Sequence, residues 1–135
     1  MRKINMLTFA AGVITLMSCL PAMAQVKVTF TTSFSFYAGG AKLPAGTYTV
    51  RQQQDDPNIF ELQNGAGTHS VMVEGRASSK SSKANPEIVF NRYGTTECLE
   101  SILTSSGNSV DLETGPAEKL AAKKGSPQSH TVPAK

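Results

Sequence analysis

The sequence predicts an all-β domain, an antiparallel β-sandwich or small barrel of about seven strands with one short C-terminal helix. Apolar residues recur with a period of two through most of the chain, and the alternating runs are separated by Gly, Asn, Asp and Pro turn signals. No helical period lies between consecutive strands, which excludes a doubly wound α/β fold.

The chain has 135 residues, and its start does not belong to that domain. Arg2 and Lys3 precede an apolar run from Met6 to Leu20, followed by Pro21 and the small residues Ala22 and Ala24 around Met23. This is the pattern of a secretory signal peptide spanning 1–24, cut between Ala24 and Gln25. The apolar run is shorter than the roughly 20 residues a membrane span needs, so no transmembrane segment is expected after its removal. A rival reading takes Leu16-Met17-Ser18-Cys19 as a lipobox, with Cys19 the lipidated first residue, but the bulky Met17 stands where a small residue is usual. Cutting after Ala24 leaves 111 of the 135 residues, enough for one small domain, expected over 25–125. It also removes two of the 13 Lys and Arg against 10 acids, for a net charge of about +1. With no basic face or stripe in the sequence, nucleic acid is not an expected partner.

The first strand is QVKVTFTTSFSF, with Val26, Val28, Phe30, Phe34 and Phe36 on one face and Lys27, Thr29, Thr31, Ser33 and Ser35 on the other. A corner follows, built from Gly39, Gly40, Pro44 and Gly46, which delivers the chain into a strand carrying Tyr48 and Val50. DDPN (55–58) and NGAG (64–67) are turns, and IFELQ and HSVMVEG are the strands they separate, so this part reads as a meander. RASSKSSKANP (76–86) has no apolar period and reads as a surface loop. EIVFNRYG and TECLESILT are further strands, and the latter forms a hairpin with SVDLE. In GPAEKLAAKKG the period changes: Pro116 suits a first helical turn, Glu118 and the pair Lys123 and Lys124 complement the helix dipole, and Gly125 can stop it. The tail 126–135 is expected to be disordered.

Two resemblances rest on these residues. LPAGTYTV (43–50) resembles the corner by which prealbumin-like and immunoglobulin-like surface domains enter a core strand. FSFYAGGAKLPAGTYTVRQ, with IVFNRYG about forty residues on and AEKLA near the end, resembles a group of small exported bacterial β-rich proteins of uncharacterised function. These carry F-x-F-x-x-G-G-x-x-L-P-A-G-T-Y-x-V and a later V-F-x-R-Y-G. The resemblance covers most of the mature chain and implies export and a β-rich fold, with no activity attached. It often places an aromatic where this chain has Cys98, which favours packing over chemistry for that thiol.

The residue inventory excludes most linear chemistries. No G-x-S-x-G elbow, P-loop or dinucleotide fingerprint occurs, and the three glycines at 39, 40 and 46 lack both the spacing and the ensuing helix of a phosphate cradle. No cofactor is expected, because Cys98 and His69 are isolated from other metal-ligating residues and the pairs Asp55-Asp56 and Glu97 with Glu100 sit in no calcium loop. Glu97 and Glu100 fall on opposite faces of a regular strand, so they cannot jointly flank a substrate. His130 lies in the expected tail, where nothing would orient it. Once Cys19 is removed Cys98 has no partner within the chain, and it reads as a small buried hydrophobe with pairing between chains as the alternative. His69, Arg92, Tyr93 and Asp111 are the candidates for lining a pocket, each with a plain surface or strand-edge role as the alternative.

The expected function is therefore non-enzymatic: an exported, periplasmic or secreted module that binds or packs in the cell envelope, with an envelope protein or a small ligand as partner. The alternatives are a small hydrolase or ligand carrier with an interior cleft, or a lipoprotein anchored through Cys19. A cleft gathering His69, Arg92 or Asp111 would favour the hydrolase or carrier.

Overall fold

A computed structural model describes residues 26–105 and 107–135. The leader, with Cys19 and the Ala24/Gln25 junction, lies outside the described residues. In chain order the strands are β1 Lys27–Thr32, β2 Phe36–Ala38, β3 Ala41–Leu43, β4 Gly46–Gln52 and β5 Ile59–Asn64. There follow β6 Ser70–Ala77, β7 Glu87–Tyr93, β8 Thr96–Leu103, β9 Val110–Leu112, the helix α1 Pro116–Ala122, and β10 Gln128–Pro133.

The fold is a sandwich-like all-β structure, as the alternation predicts. One layer is the antiparallel run β1-β4-β5-β6, the meander read from the sequence. In the other layer β8 is paired with β7 along one edge, and β10 extends β7. The other edge of β8 carries β9 and, through Tyr37 opposite Cys98, the hairpin β2–β3. The β2–β8 contact is parallel, so the sheet is mixed rather than purely antiparallel.

β6 joins the layers. Its residues up to Glu74 pair with β5, and from Gly75 onward they pair with β9. A Cβ at Gly75 would stand 2.6 Å from Val110 Cγ1 and 2.8 Å from the Phe60 ring, so only glycine lets the strand pass from one sheet to the other over a packed core. At the opposite margin the chain end meets β1: Thr29 and Lys135 exchange backbone hydrogen bonds of 3.0 and 2.9 Å.

The core between the layers is filled. Val28, Phe30, Tyr48, Val50, Phe60 and Leu62 come from one sheet, and Phe36, Leu43, Ile88, Phe90, Leu99 and Ile102 from the other. Phe36 packs edge-on against both Tyr48 (5.2 Å) and Phe90 (5.4 Å), and each such ring pair adds about 0.5–1.5 kcal/mol to area burial. Leu99 and Ile102 both reach the core although three residues apart. Three residues of β8 (Leu99, Glu100, Ser101) span two of β7 where the register shifts between Val89 and Phe90, and the extra residue resets the alternation.

Several expectations are corrected. The first alternation is not one strand: it breaks at Ser33, where the Thr32 hydroxyl donates to the Phe34 carbonyl (3.0 Å), and resumes as β2. The glycine corner is itself the β2–β3 hairpin, with Gly39 alone of its two glycines at positive φ (60°). These divisions, with β10, raise the count to ten among the described residues. The loop expected from Arg76 starts later, because β6 continues to Ala77. The tail expected to be disordered is β10: it satisfies the outer edge of β7 over six residues and buries Ala134 against the core. Edge pairing and that burial outweigh a polar composition that alone would not order.

Candidate functional site

The four pocket candidates named from sequence do not converge. His69 is exposed beside the β5–β6 turn, its backbone N–H held by Asn64 Oδ1 at 3.0 Å. Asp111 lies on β9 and accepts from the Ser101 hydroxyl at 2.9 Å. Arg92 and Tyr93, adjacent on β7, point to opposite faces of their sheet.

Arg92 belongs to a cluster whose third member, His130, the sequence did not reveal. Glu97, 5% exposed, faces it across the β7–β8 hairpin and accepts the Arg92 Nε–H on Oε1. The other oxygen, Oε2, lies 2.6 Å from His130 Nε2. The His130 ring stacks on Phe90 (5.8 Å) and meets Phe34 edge-on (5.5 Å), so imidazole and guanidinium together cap the aromatic core at this end of the sandwich. A buried carboxylate with both oxygens engaged by cationic or polar N–H groups satisfies the rule for buried charge. The expectation that nothing could orient His130 is thus corrected. Among the described residues the hydrogen-bond partner of the His130 ring is Glu97. The cluster's carboxylate half was legible: a tight turn at Gly94–Thr95 makes Arg92 and Glu97 cross-strand partners.

Tyr93 points the other way, to the face covered by α1. Its hydroxyl (3.2 Å) and the Asn91 amide (3.0 Å) both donate to Glu118 Oε1, and Glu118 is the buried residue of the helix. Burial, then the Glu118 charge and hydrogen bond, push the Tyr93 phenol up. Cys98 lies on the same face, 1% exposed, and its thiol is pushed up to about 11 by burial and then by the Glu118 and Glu97 charges. A thiol so placed is packed rather than reactive. Glu118 therefore docks the helix rather than only complementing its dipole. Gly115 permits that docking, since a Cβ there would stand 2.0 Å from the Gly39 carbonyl oxygen.

The corner residues have structural work. Tyr48 is buried, and its hydroxyl donates to the Pro44 carbonyl four residues back at 2.6 Å. This is the geometry of a tyrosine corner, in which a core tyrosine fastens the loop that precedes its own strand. Pro44 and Gly46 shape that loop, and Gly39 and Gly40 make the preceding β2–β3 turn.

A concave feature with room for a ligand lies at the other end of the sandwich, where β1 begins, β4 and β6 end and β9 begins. It is an open cleft of about 730 Å³. Its floor is made from the edges of Val26, Phe60 and Val110, with Pro57 beside them. Side chains of Gln53, Gln54, Asn58 and Arg76 form its rim. Local chemistry sets this shape: Asn58 N–H bonds Asp56 Oδ1 (3.0 Å), closing the turn read from DDPN, while Gln52 bonds the Pro57 carbonyl (2.8 Å) and so braces the loop to β4. The Asn58 carbonyl in turn accepts from Gly75 N–H (2.8 Å), tying that loop to the β6 bend. A neighbouring groove carries Glu74, Asp111 and Glu113, where the Glu113 side chain, by hydrogen bond and charge, raises the Glu74 pKa. Among the described residues no group of three or more His, Cys, Asp or Glu is placed to hold a metal ion, and no helix is long and apolar enough to cross a membrane.

Compared with known proteins, the chain matches no family model, no curated protein and no solved structure.

Proposed function

We propose that the protein is an exported, non-enzymatic binding module of the cell envelope and that it binds at the cleft between the β4–β5 loop and the β6 bend. The observation that carries this reading is the cleft itself. It offers about 730 Å³ over an apolar floor with a hydrogen-bonding rim, within the size range of small-ligand sites. Support also comes from the apolar side chains packed between the layers and from the dispersal of His69, Arg92 and Asp111.

The test is a small-molecule screen on the ¹⁵N-labelled protein, run beside a panel of chromogenic ester, glycoside and phosphate substrates. Ligands that shift the amides of Gln53, Gln54 and Arg76 without turnover are expected. Turnover that disappears in Glu97→Gln would establish the small hydrolase instead, since Glu97, a buried acid, and the half-buried His130 are the one acid–imidazole pair in contact among the described residues. Export is checked by the intact mass of the envelope-associated protein: a chain beginning at Gln25 is expected, and acyl mass on Cys19 would establish the lipoprotein.

A further inference from the structure

We infer that the end cleft takes a small amphipathic monoanion, a carboxylate carried on an apolar body; this rests on the reading of the cleft as the binding site. Among the described residues that line the cleft, Arg76 carries the only charged side chain. The amides of Gln53, Gln54 and Asn58 beside it donate and accept hydrogen bonds but bring no charge. An anionic group at Arg76 gains both a guanidinium and amide N–H donors, whereas a cation there meets like charge. Asp111 sits opposite Arg76 in the β6–β9 ladder and accepts from the Ser101 hydroxyl on Oδ1. Among the described residues no carboxylate comes within 4.0 Å of the guanidinium. Arg76 is thus an exposed cation with no carboxylate in contact among the described residues, although its charge acts on Glu74, and it lines both the cleft and the neighbouring groove. The carboxylates of Glu74, Asp111 and Glu113 line the groove on its far side, so an anion is held to the cleft side. The floor of Val26, Phe60 and Val110 then covers the apolar remainder of the ligand, which a free inorganic anion lacks.

Three eight-carbon probes separate the contributions: octanoate, octanamide and octylammonium, titrated into the ¹⁵N-labelled protein. Octanoate is expected to shift the amides of Gln53, Gln54, Arg76 and Ala77 with an apparent Kd at least tenfold below that of octanamide, and octylammonium to bind more weakly than either. Arg76→Gln is expected to raise the octanoate Kd about tenfold and leave octanamide unchanged. Ala77→Trp, which fills the cleft from an exposed strand position, is expected to abolish the shifts for both. Equal affinity for the three probes at the cleft overturns the charge assignment while leaving the cleft as a binding site. Octanoate binding that survives Ala77→Trp, or no cleft shift with any probe, overturns the inference as a whole. The binding-module reading falls separately, when the wider screen also leaves the cleft amides unmoved.

Discussion

Replacing Tyr48 with phenylalanine removes one hydroxyl and leaves the ring in place. That hydroxyl donates to the Pro44 carbonyl at 2.6 Å, and the side chain carrying it is 1% exposed. A buried acceptor left without its donor costs up to about 3 kcal/mol, but Pro44 is exposed and its carbonyl can turn to water. The expected loss is therefore about 1 kcal/mol, or roughly 3–6 °C in Tm for a domain of this size. Tyr48→Ala also removes the ring from the cluster with Phe30 and Phe36 and is expected to cost about 3–5 kcal/mol. Thr47→Val is the control: its hydroxyl bonds Thr31 on the surface (2.8 Å), and its loss should stay within about 0.5 kcal/mol. Urea and thermal unfolding followed by circular dichroism give all three values. If Tyr48→Phe is indistinguishable from Thr47→Val, the corner hydroxyl does not fasten the loop and the reasoning is refuted. pH supplies a second readout. Burial raises the Tyr48 phenol above its ordinary value of about 10, so its contribution is complete below that pH and is lost as pH rises through the folded value. The stability difference between wild type and Tyr48→Phe should shrink accordingly in the alkaline range.

Cys98 is expected to resist a thiol reagent such as Ellman's in the native protein at pH 8 and to react on unfolding. Its thiol is raised from about 9 to about 11, so stability is expected to fall between those pH values as the unfolded chain loses its proton first; rapid native labelling at pH 8 would contradict the packed role. Stopping the chain after Pro127 deletes β10, and with it Val132, Ala134 and the His130 cap; the expected loss is about 2–4 kcal/mol, with faster amide exchange along β7. An unchanged Tm in that truncation would mean that the terminal segment contributes nothing to the fold.

Local relations were legible in the sequence and non-local ones were not. The corner at Leu43–Gly46, the Asx turn at Asp56 and the meander through β6 are each specified within a few residues by turn chemistry and alternation. The Glu118 dock on Asn91 and Tyr93 spans 27 and 25 residues and uses polar atoms that leave no periodic signal. β10 was obscured by composition: its run Ser129-His130-Thr131-Val132 alternates, but only two of those side chains face the core, and its order comes from the ladder on β7. The cleft is least legible of all. It is assembled from the start of β1, one loop, the β6 bend and the start of β9, and no linear pattern marks residues brought together only by the packing of two sheets.

The passage of β6 from one sheet to the other at Gly75 has a consequence for how the molecule comes apart. A sandwich whose layers are joined only by loops can lose one layer while the other persists. Here a continuous backbone ladder runs through the joint, and Phe60 and Val110, one from each layer, meet over the same glycine. Opening either sheet removes the partner strand of the other, so partial unfolding has no low-energy seam along which to start. The slowest-exchanging amides of β5 and β8 should consequently report a single opening free energy, the signature of one cooperative unit.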